Sequence, residues 1–178
     1  MKRILSTALL LVAIAVPALA ALKPGDAAPN FTAQATLGGK EFTFSLADAL
    51  KKGPVVLYFF PKAFTSGCTA EAHQFAEASA QFTAAGATLI GMSGDDMDTL
   101  HKFSVQACSS KFPVAADPDL KVVKAYDSAL VRVGSLGFAD RISYVIGQDG
   151  KVVYAYADRN PDKHVENTLA AVKAITKK

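Results

Sequence analysis

The stretch Val55–Phe60, Val-Val-Leu-Tyr-Phe-Phe, is six apolar residues in a row with no polar alternation. A strand that faces water on one side alternates polar and apolar residues, so an unbroken run of this length belongs to a central strand covered on both faces. Pro61 ends it, and a loop carrying Thr65 leads to Cys68. Beyond Cys68, Phe75, Ala78 and Phe82 fall at helical spacing until Gly86 closes the segment, and Thr88–Ser93 is a second buried strand. Strand, helix and strand in that order make a right-handed parallel crossover unit.

The flanking elements are read from turn and cap signals. Phe31–Ala35 and Glu41–Ser45 flank Leu37-Gly38-Gly39-Lys40 as a β-hairpin, and Ser45 is the expected N-cap of a short helix, Leu46–Lys52. Asp95 or Asp96 caps a helix running to about Cys108, with Met97, Leu100 and Phe103 inward. Lys111–Ala116 is a short strand, and Asp117-Pro118-Asp119 starts a brief helix bearing Leu120, Val123 and Tyr126. Asp127–Asp140 reads as a surface loop with some extended structure. Arg141–Gly147 and Lys151–Ala157 pair as a hairpin around Gln148-Asp149-Gly150, and Pro161 introduces a last helix with Val165, Leu169 and Val172 on one face. The expected fold is therefore α/β, a thioredoxin-like domain with a central mixed sheet flanked by helices and an extra N-terminal hairpin.

Residues 1–20 read as a cleaved signal peptide: Lys2 and Arg3, an apolar core from Leu9 to Pro17, and Ala18-Leu19-Ala20 as a small-residue cleavage site. The expected product is residues 21–178, a single domain exported to a compartment such as a bacterial periplasm, with no membrane attachment after cleavage. A domain of that size buries roughly 70% of its unfolded surface, so no covalent staples are required. Removing Lys2 and Arg3 from the 19 basic residues leaves 17 against 16 acidic ones. Near neutrality gives no reason to expect a nucleic-acid partner.

Two cysteines in an exported chain ordinarily suggest one structural disulfide. The setting of Cys68 suggests a reactive thiol instead. A free thiol with a pKa of about 8.5 is mostly protonated at neutral pH, and a helix N-terminus favours the thiolate through unpaired N–H groups and the helix dipole. The sequence Thr65-Ser66-Gly67-Cys68 places the sulfur at such an end, with Gly67 allowing a close approach of the backbone. Thr65 can point its hydroxyl into the same pocket or act as a plain helix cap, and Glu71 favours the helix start.

Pro61-Lys62-Ala63-Phe64-Thr65-Ser66-Gly67-Cys68 resembles the PxxxTxxC motif of peroxiredoxins, in the form used by the bacterioferritin comigratory protein or PrxQ group of the AhpC/TSA superfamily. The resemblance extends to Gly25-Asp26-Ala27-Ala28-Pro29-Asn30-Phe31, to Phe112-Pro113 with Asp117-Pro118-Asp119, and to Arg141-Ile142-Ser143-Tyr144-Val145-Ile146. It implies a thiol peroxidase in which Cys68 attacks a hydroperoxide and becomes a sulfenic acid, without metal or organic cofactor. By the same resemblance Thr65 hydrogen-bonds the peroxide, Pro61 shields the sulfur, and Arg141 stabilises the thiolate. Read without the motif, Arg141 is a solvated charge at a strand end.

Departures from the pattern leave the second half of the cycle open. The position five residues after Cys68, where many relatives carry a resolving cysteine, is His73. Other members place the resolving thiol where Cys108 lies, which would make this an atypical two-cysteine enzyme. Yet a helix from Asp96 to Cys108 rises about 18 Å away from the carboxyl edge of the strands, so a Cys68–Cys108 disulfide requires local unfolding. Cys108 as an inert buried cysteine, with Cys68 resolved by an external thiol, is the competing expectation. Phe64 is expected to line an apolar entrance for organic hydroperoxides, to serve as a dimer contact, or to pack in the core. The reductant is expected to be a thioredoxin-like or other thiol protein, and the assembly a monomer or weak homodimer. A thioredoxin-like thiol-disulfide reductase lacks its second thiol here, since Glu71 stands where a CxxC pair needs cysteine. A binding module stapled by Cys68 and Cys108 is the non-enzymatic alternative.

Overall fold

The computed structural model describes residues 21–130 and 137–177. The proposed signal peptide and residues 131–136 of the loop before Arg141 lie outside the described residues. Among those described, no helix is long and apolar enough to cross a membrane.

The chain forms β1 (Thr32–Leu37), β2 (Lys40–Ser45), α1 (Leu46–Leu50), β3 (Val55–Phe59), α2 (Ser66–Ala84), β4 (Thr88–Ser93) and α3 (Met97–Gln106). It continues with β5 (Val114–Ala116), α4 (Lys121–Ala125), β6 (Ala129–Leu130), β7 (Phe138–Ala139), β8 (Ile142–Ile146), β9 (Val152–Ala157) and, after a 3-10 turn at Pro161–Lys163, α5 (His164–Thr176). Seven strands make one mixed sheet in the order β2-β1-β5-β4-β3-β8-β9, while β6 and β7 pair separately. β3 runs parallel to β4 and antiparallel to β8, with Leu57 opposite Ile90 on one side and Tyr144 on the other. This is the expected thioredoxin-like arrangement. The N-terminal hairpin is not an appendage: β1 pairs antiparallel with β5 and extends the same sheet.

Every residue of β3 is buried. Its pleat divides them between two cores, as the two-residue period of a strand requires. Val56, Tyr58 and Phe60 join Phe75 and Phe82 of α2, Leu100 and Phe103 of α3 and Leu169 and Val172 of α5. Val55, Leu57 and Phe59 join Leu46 of α1, Val123 of α4 and Tyr126 and Tyr144 on the opposite face. Each fully buried large apolar side chain contributes about 1.5–3 kcal/mol, so the unbroken run fixes β3 at the centre of the molecule. The run ends at Phe60, whose N–H still donates to Met92 O at 3.1 Å.

One of the two expected caps is the one used, and two boundaries differ from the expectations. Asp96 is the N-cap of α3, its carboxylate accepting from Thr99 N at 2.7 Å, while Asp95 has another partner described below. α3 stops at Gln106, because Ser109 and Ser110 adopt left-handed conformations with φ of 50° and 55°; Cys108 therefore lies in the turn after the helix and not on it. β5 begins only at Val114, since Pro113 has no N–H to give a ladder. Asp117 ends that strand by accepting from Lys121 N and Val123 N at 2.9 and 2.8 Å, which starts α4.

Candidate active site

The loop between β3 and α2 carries Lys62–Thr65 across the carboxyl edge of the parallel strands, and it is held from below. Asp95, just after β4, accepts from Ala63 N at 2.7 Å and from the Ser93 hydroxyl at 2.9 Å with the same oxygen. Phe64 has φ of 65° and presents its ring edge-on to Phe103, centroids 5.3 Å apart, while remaining 46% exposed. It thus packs and is open to solvent at once. Pro61 is partly buried at the start of this loop.

Thr65 occupies the N-cap position of α2 but makes no side-chain cap bond; its hydroxyl donates to Lys62 O at 3.0 Å. The first intrahelical bond is Thr69 N to Thr65 O. The amides of Ser66, Gly67 and Cys68 are therefore the donors that every helix start leaves over, and the positive end of the dipole lies where Cys68 sits. Cys68 is 1% exposed and unbonded to Cys108.

Arg141 reaches this sulfur from the start of β8. It is 6% exposed, so it is not the solvated charge that its position alone would suggest. Three edges of the guanidinium are engaged. Nη2 donates to Cys68 Sγ at 3.4 Å, Nε donates to Arg159 O at 3.0 Å, and Nη1 is paired with Glu71 Oε2. The main-chain N–H of Arg141 donates to Asp140 at 2.9 Å. Gly67 makes room for this approach: a Cβ there would stand 3.1 Å from Nη2. The close approach that glycine permits is to the protein's own arginine.

The sequence suggests only that Glu71 favours the helix start, yet it is fully buried and paired with Arg141. It lies one helical turn beyond Cys68 and so on the same face. Burial pushes its carboxyl up to about 8, against the opposing pull of Arg141. His164 at the start of α5 is also fully buried; burial pushes it below the ordinary histidine range. Tyr58 lies in the same core cluster as Cys68 and Cys108, its ring stacked on Phe75 at 4.4 Å. Its hydroxyl makes no hydrogen bond among the described residues. Burial, followed by the charges of Cys108, Glu71 and Cys68, holds the phenol well above its usual range.

Cys108 is completely buried and burial alone pushes its thiol far up. His73 is exposed on α2. Among the described residues no group of three His, Cys, Asp or Glu side chains could hold a metal ion.

A thiol at a helix N-terminus, hydrogen-bonded by a buried arginine on a thioredoxin-like sheet, defines a class of thiol oxidoreductase, and comparison with known proteins identifies which. Residues 24–155 match the AhpC/TSA family, and the chain belongs to it. Peroxiredoxin Q of Oryza sativa subsp. japonica, a chloroplastic protein, is 35% identical over 152 residues, covering 85% of this chain and 67% of its own. Among solved structures, the peroxidoxin BcpB from Mycobacterium tuberculosis superposes with a TM-score of 0.79 at 29% identity, covering 86% of this chain and 98% of that one. Peroxiredoxin Q of Xanthomonas campestris gives 0.71 at 28%, covering 81% and 91%. The protein is a peroxidase, an oxidoreductase of the peroxiredoxin type.

Proposed function

We propose that Cys68 is the peroxidatic nucleophile and that Arg141, Thr65 and Pro61 serve it directly. The observation that carries this reading is the 3.4 Å hydrogen bond from Arg141 Nη2 to Cys68 Sγ at the N-terminus of α2. A permanently charged donor at that distance favours the thiolate, and the same guanidinium can follow negative charge onto the peroxide oxygens. The thiolate attacks one oxygen of hydrogen peroxide or an organic hydroperoxide. An S–O bond forms, the O–O bond breaks, sulfur is oxidised to sulfenic acid, and the departing hydroxide or alkoxide takes a proton from solvent. Thr65 already donates to Lys62 O, so its oxygen lone pairs are left to accept the hydroperoxide O–H. Pro61 begins the loop that leads to the sulfur and brings no competing N–H.

The sulfenic acid is then resolved by Cys108 as an intramolecular disulfide. Both sulfurs are buried, so this step needs the turn after α3 to open. Burial holds Cys108 as a thiol in the closed state, and exposure returns it to a range in which a nucleophilic thiolate forms. The left-handed Ser109 and Ser110 beside it favour opening, since each non-glycine residue in that conformation costs about 1–2 kcal/mol. The complete burial of Cys108 also supports a second reading, in which an external thiol resolves Cys68. The disulfide or sulfenic acid is reduced by a thioredoxin-like protein. The amino-terminal sequence supports export of residues 21–178 as one domain, to the periplasm in a bacterial host.

Hydroperoxide consumption with dithiothreitol as donor is expected to be fast and to vanish in Cys68→Ser; activity that survives this change would reject the assignment. Nonreducing peptide mapping after one equivalent of peroxide decides between the resolving routes. A Cys68–Cys108 peptide is expected, and its absence would leave the external thiol.

A further inference from the structure

Behind the guanidinium lies a layer of buried polar groups that the peroxide step does not use. Glu71 offers Oε2 to Arg141, while its Oε1 has no hydrogen-bond partner among the described residues and stands 3.6 Å from Nδ1 of His164. The other ring nitrogen, Nε2, lies 2.8 Å from the main-chain oxygen of Asp158. That oxygen can only accept, so Nε2 carries a hydrogen. In a neutral ring Nδ1 is then bare and takes the hydroxyl hydrogen of Ser143, 2.8 Å away. An ionised Glu71 would thus turn its unpaired Oε1 toward a ring nitrogen that has no hydrogen to give it, in a dry interior. Buried acceptors left in that way are costly, and a single proton on the pair removes the conflict, whichever atom bears it.

We propose that Glu71 and His164 hold one shared proton in the resting enzyme, and that this proton leaves the positive charge of Arg141 to the Cys68 thiolate. The argument is a count of buried charge. With the proton, the pair is neutral as a whole, and Arg141 and the thiolate are the opposite charges that remain. Without it, Glu71 neutralises Arg141, and ionising Cys68 adds an uncompensated negative charge to the interior. Thiolate and shared proton therefore favour one another.

The surroundings agree. Burial raises Glu71 to about 8 and lowers His164, so the carboxyl is the better seat for the proton. The groups facing the pair are Cys68 from α2, Tyr58 from β3, Arg141 and Ser143 from the β8 segment, and Tyr156 of β9, which packs edge-on to His164 at 4.8 Å. Asp158 adds its main-chain oxygen and the charge of its carboxylate. Arg141 is the only cation among these. On this reading His164 is a positioning residue that acts through Glu71 and Arg141.

The inference rests on Cys68 being the reactive thiol, but its test reads protonation and not turnover. Difference infrared spectra of the reduced protein near neutral pH are expected to show the C=O stretch of a protonated carboxyl, and Glu71→Gln is expected to lose it. Ultraviolet absorbance of the thiolate is then followed against pH in a Cys108→Ser background. Glu71→Gln is uncharged at every pH and is expected to hold at least as much thiolate as its parent. His164→Gln, whose amide can donate to an ionised Glu71, is expected to hold about tenfold less, equivalent to one pKa unit. A carboxylate that merely anchored Arg141 would give the opposite result for Glu71→Gln. Absence of the protonated-carboxyl band, or a tenfold loss of thiolate in Glu71→Gln, would overturn the proposal even with peroxidase activity intact. Because the infrared measurement uses the unsubstituted protein, it decides even if His164→Gln fails to fold.

Discussion

Arg141→Met removes one guanidinium that serves two buried partners, and the two losses can be separated. Breaking a buried ion pair by deleting one member costs about 3–5 kcal/mol when the other stays charged. Arg141 and Glu71 are 6% and 0% exposed, so solvent does little to soften that cost. Glu71 has an escape, however. Its carboxyl already stands at about 8, and Arg141 is the group that pulls it down. Without the arginine it stays protonated through the neutral range, and the penalty falls to that of unsatisfied polar atoms, about 1–3 kcal/mol. Arg141→Met is therefore expected to lose about 1–3 kcal/mol near neutral pH and more in alkali. Adding Glu71→Leu removes the stranded carboxyl, so the double variant is expected to recover most of that loss. The rate behaves differently. Loss of a donor to charge developing in the transition state costs about 10²–10³-fold, and the double variant recovers none of it. Urea unfolding followed by circular dichroism suits a chain that has no tryptophan, and peroxide consumption with dithiothreitol gives the rate. If the two substitutions add in stability, or if the double variant regains activity, the account of the guanidinium as a shared partner is refuted.

Stability against pH carries the sign of the Glu71 shift. A carboxyl raised from 4.5 to about 8 in the folded state contributes stability that is fully present below pH 4.5 and lost as pH rises through 8, with a slope of up to about 1.4 kcal/mol per pH unit. His164 is lowered, so its contribution is present above the ordinary histidine pKa of 6.5 and lost as pH falls. Urea midpoints of the parent and Glu71→Gln should diverge between those limits with the parent losing ground at high pH, and parallel curves would contradict the buried carboxyl. Gly67→Ala places a Cβ 3.1 Å from Nη2 of an arginine already pinned at Nε and Nη1, so the displacement falls on the bond to Cys68. Peroxide reduction should slow about tenfold while the urea midpoint holds or rises, because alanine is the better helix former by about 0.5–1 kcal/mol; an unchanged rate would show that the contact does not matter.

The parts of the fold legible in the sequence are those in which one strand or helix carries its own pattern. Val55–Phe59 and Thr88–Ser93 form strands where the apolar runs place them, and Phe75, Ala78 and Phe82 all face the core. Turn chemistry accounts for the boundaries that moved. Cys108 falls outside α3 because two serines beyond it are left-handed, and serine gives no warning of that as glycine would. The joining of β1 to β5 depends on a contact between segments nearly eighty residues apart, and no local period records it. Of the site, Cys68 at the start of α2 was readable from the cap and turn residues. Arg141 was readable only through the family resemblance, because an arginine before a strand looks solvated until the fold delivers Cys68 and Glu71 to it.

The second layer of the site is scattered further still, over α2, β8, the end of β9 and α5, but it left a weaker trace. Along α5 the residues Val165, Leu169 and Val172 suggest one inward face, yet Val165 is only half-buried while His164 and Thr168 are fully buried. The buried residues of α5 are His164, Thr168, Leu169 and Val172, so Leu169 and Val172 face inward as their spacing suggests and two polar residues share that face. Ser143 is a hydroxyl in a strand with all five residues buried. A polar residue at a position the period assigns to the core must find a partner there or destabilise the fold. Two such positions in the last third of the chain, together with Glu71 on the face of α2 that bears Cys68, imply one another: each supplies a partner that the others would otherwise lack. Glu71, Ser143 and His164 are polar residues at core-facing phases, and the fold gathers them into a single buried group.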